Sequence, residues 1–131
     1  MDKKFSHEKL IVYNRSLDFV EFVEKILSRM KDRLNVYDQI DKSSTSIPLN
    51  IAEGTGKFSV KDKNKYFDIA RGSATESAAC LDVMFGRKRI TEEERNEGKE
   101  ILYDIVSMLI GLVRSNSDRV YEEGEDYDIN G

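Results

Sequence analysis

The chain has 131 residues, 35% of them charged, with 21 Lys and Arg against 25 Asp and Glu. That length suits one domain, burying roughly two thirds of the surface its unfolded chain exposes. A lone cysteine, Cys80, excludes an internal disulfide and a multi-cysteine metal site, and a lone histidine, His7, leaves little scope for histidine-dependent chemistry.

The negative balance is local. Residues 118–131 hold six acids and one base, whereas residues 1–117 hold 20 bases and 19 acids. No apolar run approaches the ~18 residues that suggest a membrane span. The start MDKKFSHEKL lacks an apolar signal region, so the expected location is the cytoplasm, with no membrane contact.

No stretch alternates β-branched and aromatic residues between turn signals, and four helices are predicted instead. The first spans about residues 7–30, with Ser6 as cap. Its apolar residues, from Leu10 and Val12 through Phe19, Val23 and Ile26 to Met30, cover an arc much wider than the roughly 100° needed to cover a core. The excess, extended on the fourth helix by Tyr103 and Ile110, points to contact with another subunit. The second helix covers about 35–53, with Val36, Tyr37, Ile40, Ile47 and Ile51 at helical spacing. Pro48 lies inside it, removes one backbone donor and predicts a kink. Gly54 and Gly56 suit a left-handed C-terminal cap.

Ser59 and Asp62 have capping-box spacing and open a third helix over about 60–85. Its centre, Gly72 to Cys80, is almost wholly small residues, which predicts close approach of a neighbouring helix. Thr91 to Glu94 is a second capping box whose acids complement the helix dipole. The fourth helix follows over about 92–115. Short connections favour an all-α, antiparallel up-down four-helix bundle over residues 1–117. Residues 118–131 are expected to be a disordered acidic tail, which either competes for basic groups elsewhere in the chain or keeps the protein soluble.

The run Ser46-Ile47-Pro48-Leu49-Asn50-Ile51-Ala52-Glu53-Gly54, followed by Lys57 and Ser59, resembles the pattern S-I-P-x-N-I-A-E-G-x-x-R/K-x-S of the 23S rRNA intervening-sequence proteins. A second block of that family, aromatics followed by I-A-x-G-S-x-x-E, is matched by Tyr66-Phe67 and by Ile69 to Glu76, with Gly72, Ser73 and Glu76 at the motif positions. Leu10 to Tyr13, Gln39, Lys42 and Met108 to Leu112 extend the resemblance over about residues 8–115. Tyrosine replaces tryptophan at 13 and lysine replaces arginine at 57, where a bidentate contact would be lost. The resemblance implies a four-helix bundle forming a ring, typically a homopentamer, encoded in bacteria within rRNA insertions or as free-standing genes, with no established biochemical role. More distantly, the chain is similar to the accessory protein of diversity-generating retroelements, a pentamer that partners a reverse transcriptase and RNA.

Two clusters are candidates for function. The polar line Ser46, Asn50, Glu53 and Lys57, with Ser73 and Glu76 on the third helix, reads either as a ligand or metal pocket of Asn50, Glu53 and Glu76 or as a hydrogen-bonded network around Pro48, and the structural reading is preferred. Lys57, Lys61 and Lys65 recur every four residues, and Arg87, Lys88 and Arg89 cluster at the far end of the third helix. These basic sets suit nucleic-acid phosphates, against the alternative of an ordinary solvated face. The Glu-x-x-His pairs of di-metal bundles are absent, no cofactor is implied, and Cys80 reads as a buried, inert thiol. The expectation is a non-catalytic homo-oligomeric scaffold for RNA or a nucleoprotein. Its alternative is a protein–protein interaction module without nucleic acid.

Overall fold

A computed structural model describes the backbone of residues 3–127. After a 3-10 turn, Ser6–Lys9, come four helices: α1 (Ile11–Leu27), α2 (Asn35–Thr55), α3 (Val60–Gly86) and α4 (Glu92–Tyr127). No strand occurs among the described residues, and no described helix is long and apolar enough to cross a membrane.

The first helix starts later than its apolar pattern suggests. Leu10 is extended (φ −84°, ψ 130°), and Ser6 belongs to the 3-10 turn instead of capping α1. The Asn14 side-chain amide holds the break together by donating to the carbonyls of Glu8 (3.2 Å) and Leu10 (3.1 Å). Beyond Leu27 the chain tightens into three-residue turns, with the N–H of Met30 bonded to the Leu27 carbonyl at 3.1 Å.

The second helix runs unbroken through Pro48 to Thr55. Its end differs from the expected left-handed cap: Gly56 has φ −79°, and the N–H groups of Gly56 and Lys57 close on the carbonyls of Ala52 and Gly54. Gly54 serves a different purpose. A Cβ there would lie 2.9 Å from Phe67 Cε1 and 3.1 Å from the Lys63 carbonyl oxygen, so its missing side chain admits α3. Both predicted helix starts carry their caps. Ser59 Oγ accepts the Asp62 N–H at 3.1 Å. Thr91 and Glu94 exchange two bonds, Glu94 N–H to Thr91 Oγ1 at 3.1 Å and Thr91 N–H to Glu94 Oε1 at 2.9 Å.

α4 extends past the expected boundary near 115 to Tyr127. The expected tail therefore overlaps this helix, and its last positions, 128–131, lie outside the described residues.

α1 packs on α2 and α4, and α3 on α2 and α4, so the helices take the corners of a square with α1 diagonal to α3. Cross-helix pairs run in opposite numerical order: Ser43 with Ser77, Ser46 with Ser73, and Lys63 with the Thr55 carbonyl on α2/α3. Between α4 and α1 or the turn that follows α1 they are Arg15 with Asp104 and Arg29 with Glu94, and on α3/α4 Asp82 with Lys99 and Asn64 with Asn116. Phe19, Ile40, Ile47, Ile51, Leu81, Met84, Ile105 and Leu109 are the largest fully enclosed apolar side chains among the described residues. Each contributes about 1.5–3 kcal/mol through burial. Gly98 lets α4 close on this core, since a Cβ there would lie 2.6 Å from Leu81 Cδ1 and 2.7 Å from Phe22 Cε1.

The wide apolar arc of α1 is mostly absorbed within the chain. Val12, Phe19, Val23 and Ile26 are buried, while Tyr13, Phe22, Leu27 and Met30 are partly buried against the same core. A corner helix with two neighbours needs a broader stripe than a helix lying on one surface, so the arc alone does not require a second subunit.

Candidate nucleic-acid interface

The two motif segments meet on one face. Ser46 Oγ on α2 hydrogen-bonds Ser73 Oγ on α3 at 2.8 Å, and Asn50 Nδ2 donates to both the carbonyl and the hydroxyl of Ser46 at 2.9 Å. One turn away, Ser43 Oγ and Ser77 Oγ form a buried bond of 2.7 Å, a pair the sequence reading did not single out. Two serines at helical spacing on each helix were the available signal. These hydroxyls bond across α2 and α3 where small residues let the helices approach, and among the described residues no buried side-chain polar atom lacks a partner.

The rest of the motif does not join that network. Glu53 is exposed and pairs with Lys57 at 3.7 Å. Glu76 is also exposed, beside a groove of about 430 Å3 at the far end of the α2/α3 face, with Arg33, Asn35, Gln39 and Arg87. Asn50, Glu53 and Glu76 thus form no common pocket. Nor is the small-residue run of α3 packed throughout. Ala74 and Ser77 are buried, but Gly72 and Ala79 face outward, and a Cβ at Gly72 would meet nothing within 4 Å. A helix turns its residues through every direction, so a continuous run of small residues cannot all meet one neighbour.

The three spaced lysines gather at the α2–α3 turn for a reason other than helical period. Lys57 precedes α3, outside the helix, while Lys61 and Lys65 are exposed on its opening turns. The Tyr66 ring draws the outer two together: Lys57 Nζ lies 5.2 Å and Lys65 Nζ 5.8 Å from its centroid. Lys63 is engaged separately, donating to the Thr55 carbonyl at 3.0 Å. Between Lys57 and Ser59, Phe58 stands fully exposed, at 101%. In the sequence Tyr66 stands out only as a motif residue and Phe58 not at all, although the interleaving of lysine with aromatics is the visible signal. For Lys61 the placement is also electrostatically uphill, because the first turn of a helix favours acids and a misplaced charge costs about 0.3–1 kcal/mol. Lysines at the positive end of the α3 dipole make this turn a concentrated cationic tip.

The second basic cluster separates into three roles. Arg89 Nε donates to Asp32 Oδ2 at 2.8 Å, and Asp32 Oδ1 accepts the Tyr37 hydroxyl at 2.8 Å. The Tyr37 hydrogen bond and then Arg89 hold the Asp32 carboxyl below its usual range, while burial and the bond to Asp32 raise the Tyr37 phenol. Arg89 is therefore a tie between the α3 end and the α1–α2 connection. Lys88 carries a positive φ of 62° and closes α3: its N–H bonds the Phe85 carbonyl and the Arg89 N–H bonds the Met84 carbonyl, both at 2.9 Å. Arg87 is exposed beside the groove with Arg33, and among the described residues neither makes an ion pair.

Cys80 is buried, and burial, followed by the nearby Glu76 charge, pushes its thiol up. Among the described residues no three His, Cys, Asp or Glu side chains converge as a metal site.

Comparison with known proteins follows the same outline. Residues 8–111 match the sequence model of the 23S rRNA-intervening sequence protein family. A crystal structure of a protein with unknown function from the S23 ribosomal protein family, from Bacteroides thetaiotaomicron, superposes with a TM-score of 0.73 at 26% identity. The alignment covers 79% of this chain and 98% of that one. No protein of curated function matches the chain.

Proposed function

The chain belongs to the family of 23S rRNA-intervening sequence proteins, and on that premise we propose that it is a non-catalytic scaffold that binds RNA or a nucleoprotein in the cytoplasm. In this reading it is an antiparallel up-down four-helix bundle assembled as a ring-shaped homo-oligomer, a homopentamer. The opposed numbering of the cross-helix pairs supports the antiparallel arrangement. Gly72, Ile69 and Leu49 support the assembly: they leave a small-residue and apolar strip uncovered on the α2/α3 face, where another copy can approach closely.

The observation that carries RNA binding is the cationic tip at Lys57, Lys61 and Lys65. The body outside residues 118–131 is nearly neutral, so one tip alone binds weakly. A ring repeats it once per subunit, and linked weak sites gain affinity through effective concentration. Arg87 and Lys88 add a second patch one helix length away, with Arg89 held back by Asp32.

The test is fluorescence anisotropy of labelled structured RNA titrated with the protein across a salt series. Expected is binding at low ionic strength whose log affinity falls linearly with log salt. Reversing Lys57, Lys61 and Lys65 together to Glu should abolish it while leaving the mass from light scattering unchanged. No affinity at low salt would refute the RNA reading. The competing protein-interaction module draws on a groove of about 390 Å3 on the α1/α4 side, lined by Leu10, Ile11, Met108 and Leu112. That reading predicts loss of partner capture when Ile11 is made Asp, with no response to the lysine reversal.

A further inference from the structure

We propose that the α2–α3 turn takes unpaired RNA, with Phe58 as the platform on which a base stacks. The inference rests on the RNA reading above and specifies its ligand as single-stranded.

Phe58 is the most exposed large apolar side chain of the described residues, at 101%, whereas the core phenylalanines Phe19 and Phe67 are at 0% and 3%. Full burial of such a ring is ordinarily a main source of folding energy, and here it contributes none. The position is also electrostatically distinct. Lys57 precedes the ring in sequence, Lys61 follows one helical turn later, and Lys63 and Lys65 come next. Among the residues with described side chains, the acids nearby are Asp62, whose N–H is held by Ser59, and Glu53, which partly offsets Lys57 at 3.7 Å. Four lysines against those two carboxylates leave the turn cationic.

The other aromatic in the patch cannot serve equally well. Two ammonium groups lie over the Tyr66 ring, at 5.2 and 5.8 Å, so its face is already occupied. Both faces of Phe58 are open. An exposed ring flanked by lysines matches the general chemistry of single-strand binding, in which bases stack on aromatics while cations follow the phosphates. A duplex cannot use that ring, because its bases are stacked on one another and its deep, narrow major groove excludes side chains.

The experiment uses the full chain, a short fluorescein-labelled single-stranded RNA of mixed sequence, and the same strand annealed to its complement, at low salt. Phe58→Ala should weaken single-strand binding by about 5- to 150-fold, the range for loss of one stacked base, and leave duplex binding and the light-scattering mass unchanged. The chain has no tryptophan, so Phe58→Trp introduces one indole whose emission should be quenched by the single strand and not by the duplex. Several outcomes overturn the proposal. If the protein binds RNA but neither variant responds, the stacking role fails while the RNA reading stands. If Phe58→Ala weakens both RNAs equally, the preference for unpaired strands fails. A change in assembly mass would make Phe58 a contact between copies. If the unaltered protein binds neither RNA, both the proposal and the RNA reading fall.

Discussion

At Gly54 the absence of a side chain sets the distance between two helices. A methyl group there would press on a ring that is 3% exposed and on a backbone carbonyl, neither of which can yield cheaply. Alanine gains about 1 kcal/mol of helix propensity at an interior position, but overpacking costs about 1–3 kcal/mol. Gly54→Ala should therefore lower stability by about 1 kcal/mol in urea denaturation, and a stabilised variant would show that α2 and α3 can part. Lys88 presents the opposite case, since its left-handed backbone (φ 62°) costs a residue with a Cβ about 1–2 kcal/mol. Lys88→Gly should stabilise the protein by about 1 kcal/mol in the same assay while removing one cation from the second basic patch. Cys80 should resist alkylation by iodoacetamide at neutral pH and react readily in denaturant, because the buried thiol is inaccessible and pushed up.

The elements owe their positions to their ends as much as to their apolar faces. The start of α4 is the clearest example: Thr91 and Glu94 complete a capping box, and the same Glu94 carboxylate takes Arg29, just past the end of α1, through both terminal guanidinium nitrogens. That hydrogen bonding to Arg29, opposed by partial burial and aided by Thr91, lowers the carboxyl from 4.5 to about 2. The folded state thus favours the carboxylate more than the unfolded chain does. Its contribution is complete above about pH 5 and disappears as the pH falls through about 2. Glu94→Gln keeps the capping geometry but removes the charge. It should cost about 0.5–1 kcal/mol at neutral pH and flatten the decline in urea midpoint between pH 4.5 and 2. An unchanged acid profile would place the acid sensitivity elsewhere.

On the scale of the whole molecule, the square arrangement places the α2/α3 face opposite the α1/α4 face. Each leaves apolar side chains uncovered: Leu49 (63%) and Ile69 (43%) on one, Ile11 (77%) on the other. Two different faces in contact make a heterologous interface, which closes into a ring when the rotation between copies permits. Light scattering should give a multiple of 15.1 kDa, and the double change Leu49→Glu with Ile69→Glu should give the monomer with unaltered circular dichroism. A mass of 15.1 kDa for the unaltered chain would remove the assembly.

Much of the fold was legible in the residues themselves. The apolar periods of α1 and α2, the caps at Ser59 and Thr91, and the paired motifs around Pro48 and Gly72 are local or periodic features, so they specified four helices without knowledge of their partners. Where one helix meets another was legible only coarsely, in the small residues of α3. Periodicity could not show that Gly54 yields room to Phe67, that Gly72 faces open space, or that α1 uses its broad arc at a corner between two neighbours. The candidate site divides in the same way. The lysines were visible in sequence, but only the tertiary structure holds Lys57 and Lys65 over Tyr66, leaves Phe58 exposed, and commits Arg89 to Asp32. The reason is physical: helix formation depends on residues three or four apart, whereas packing distance and charge pairing depend on atoms far apart in the chain.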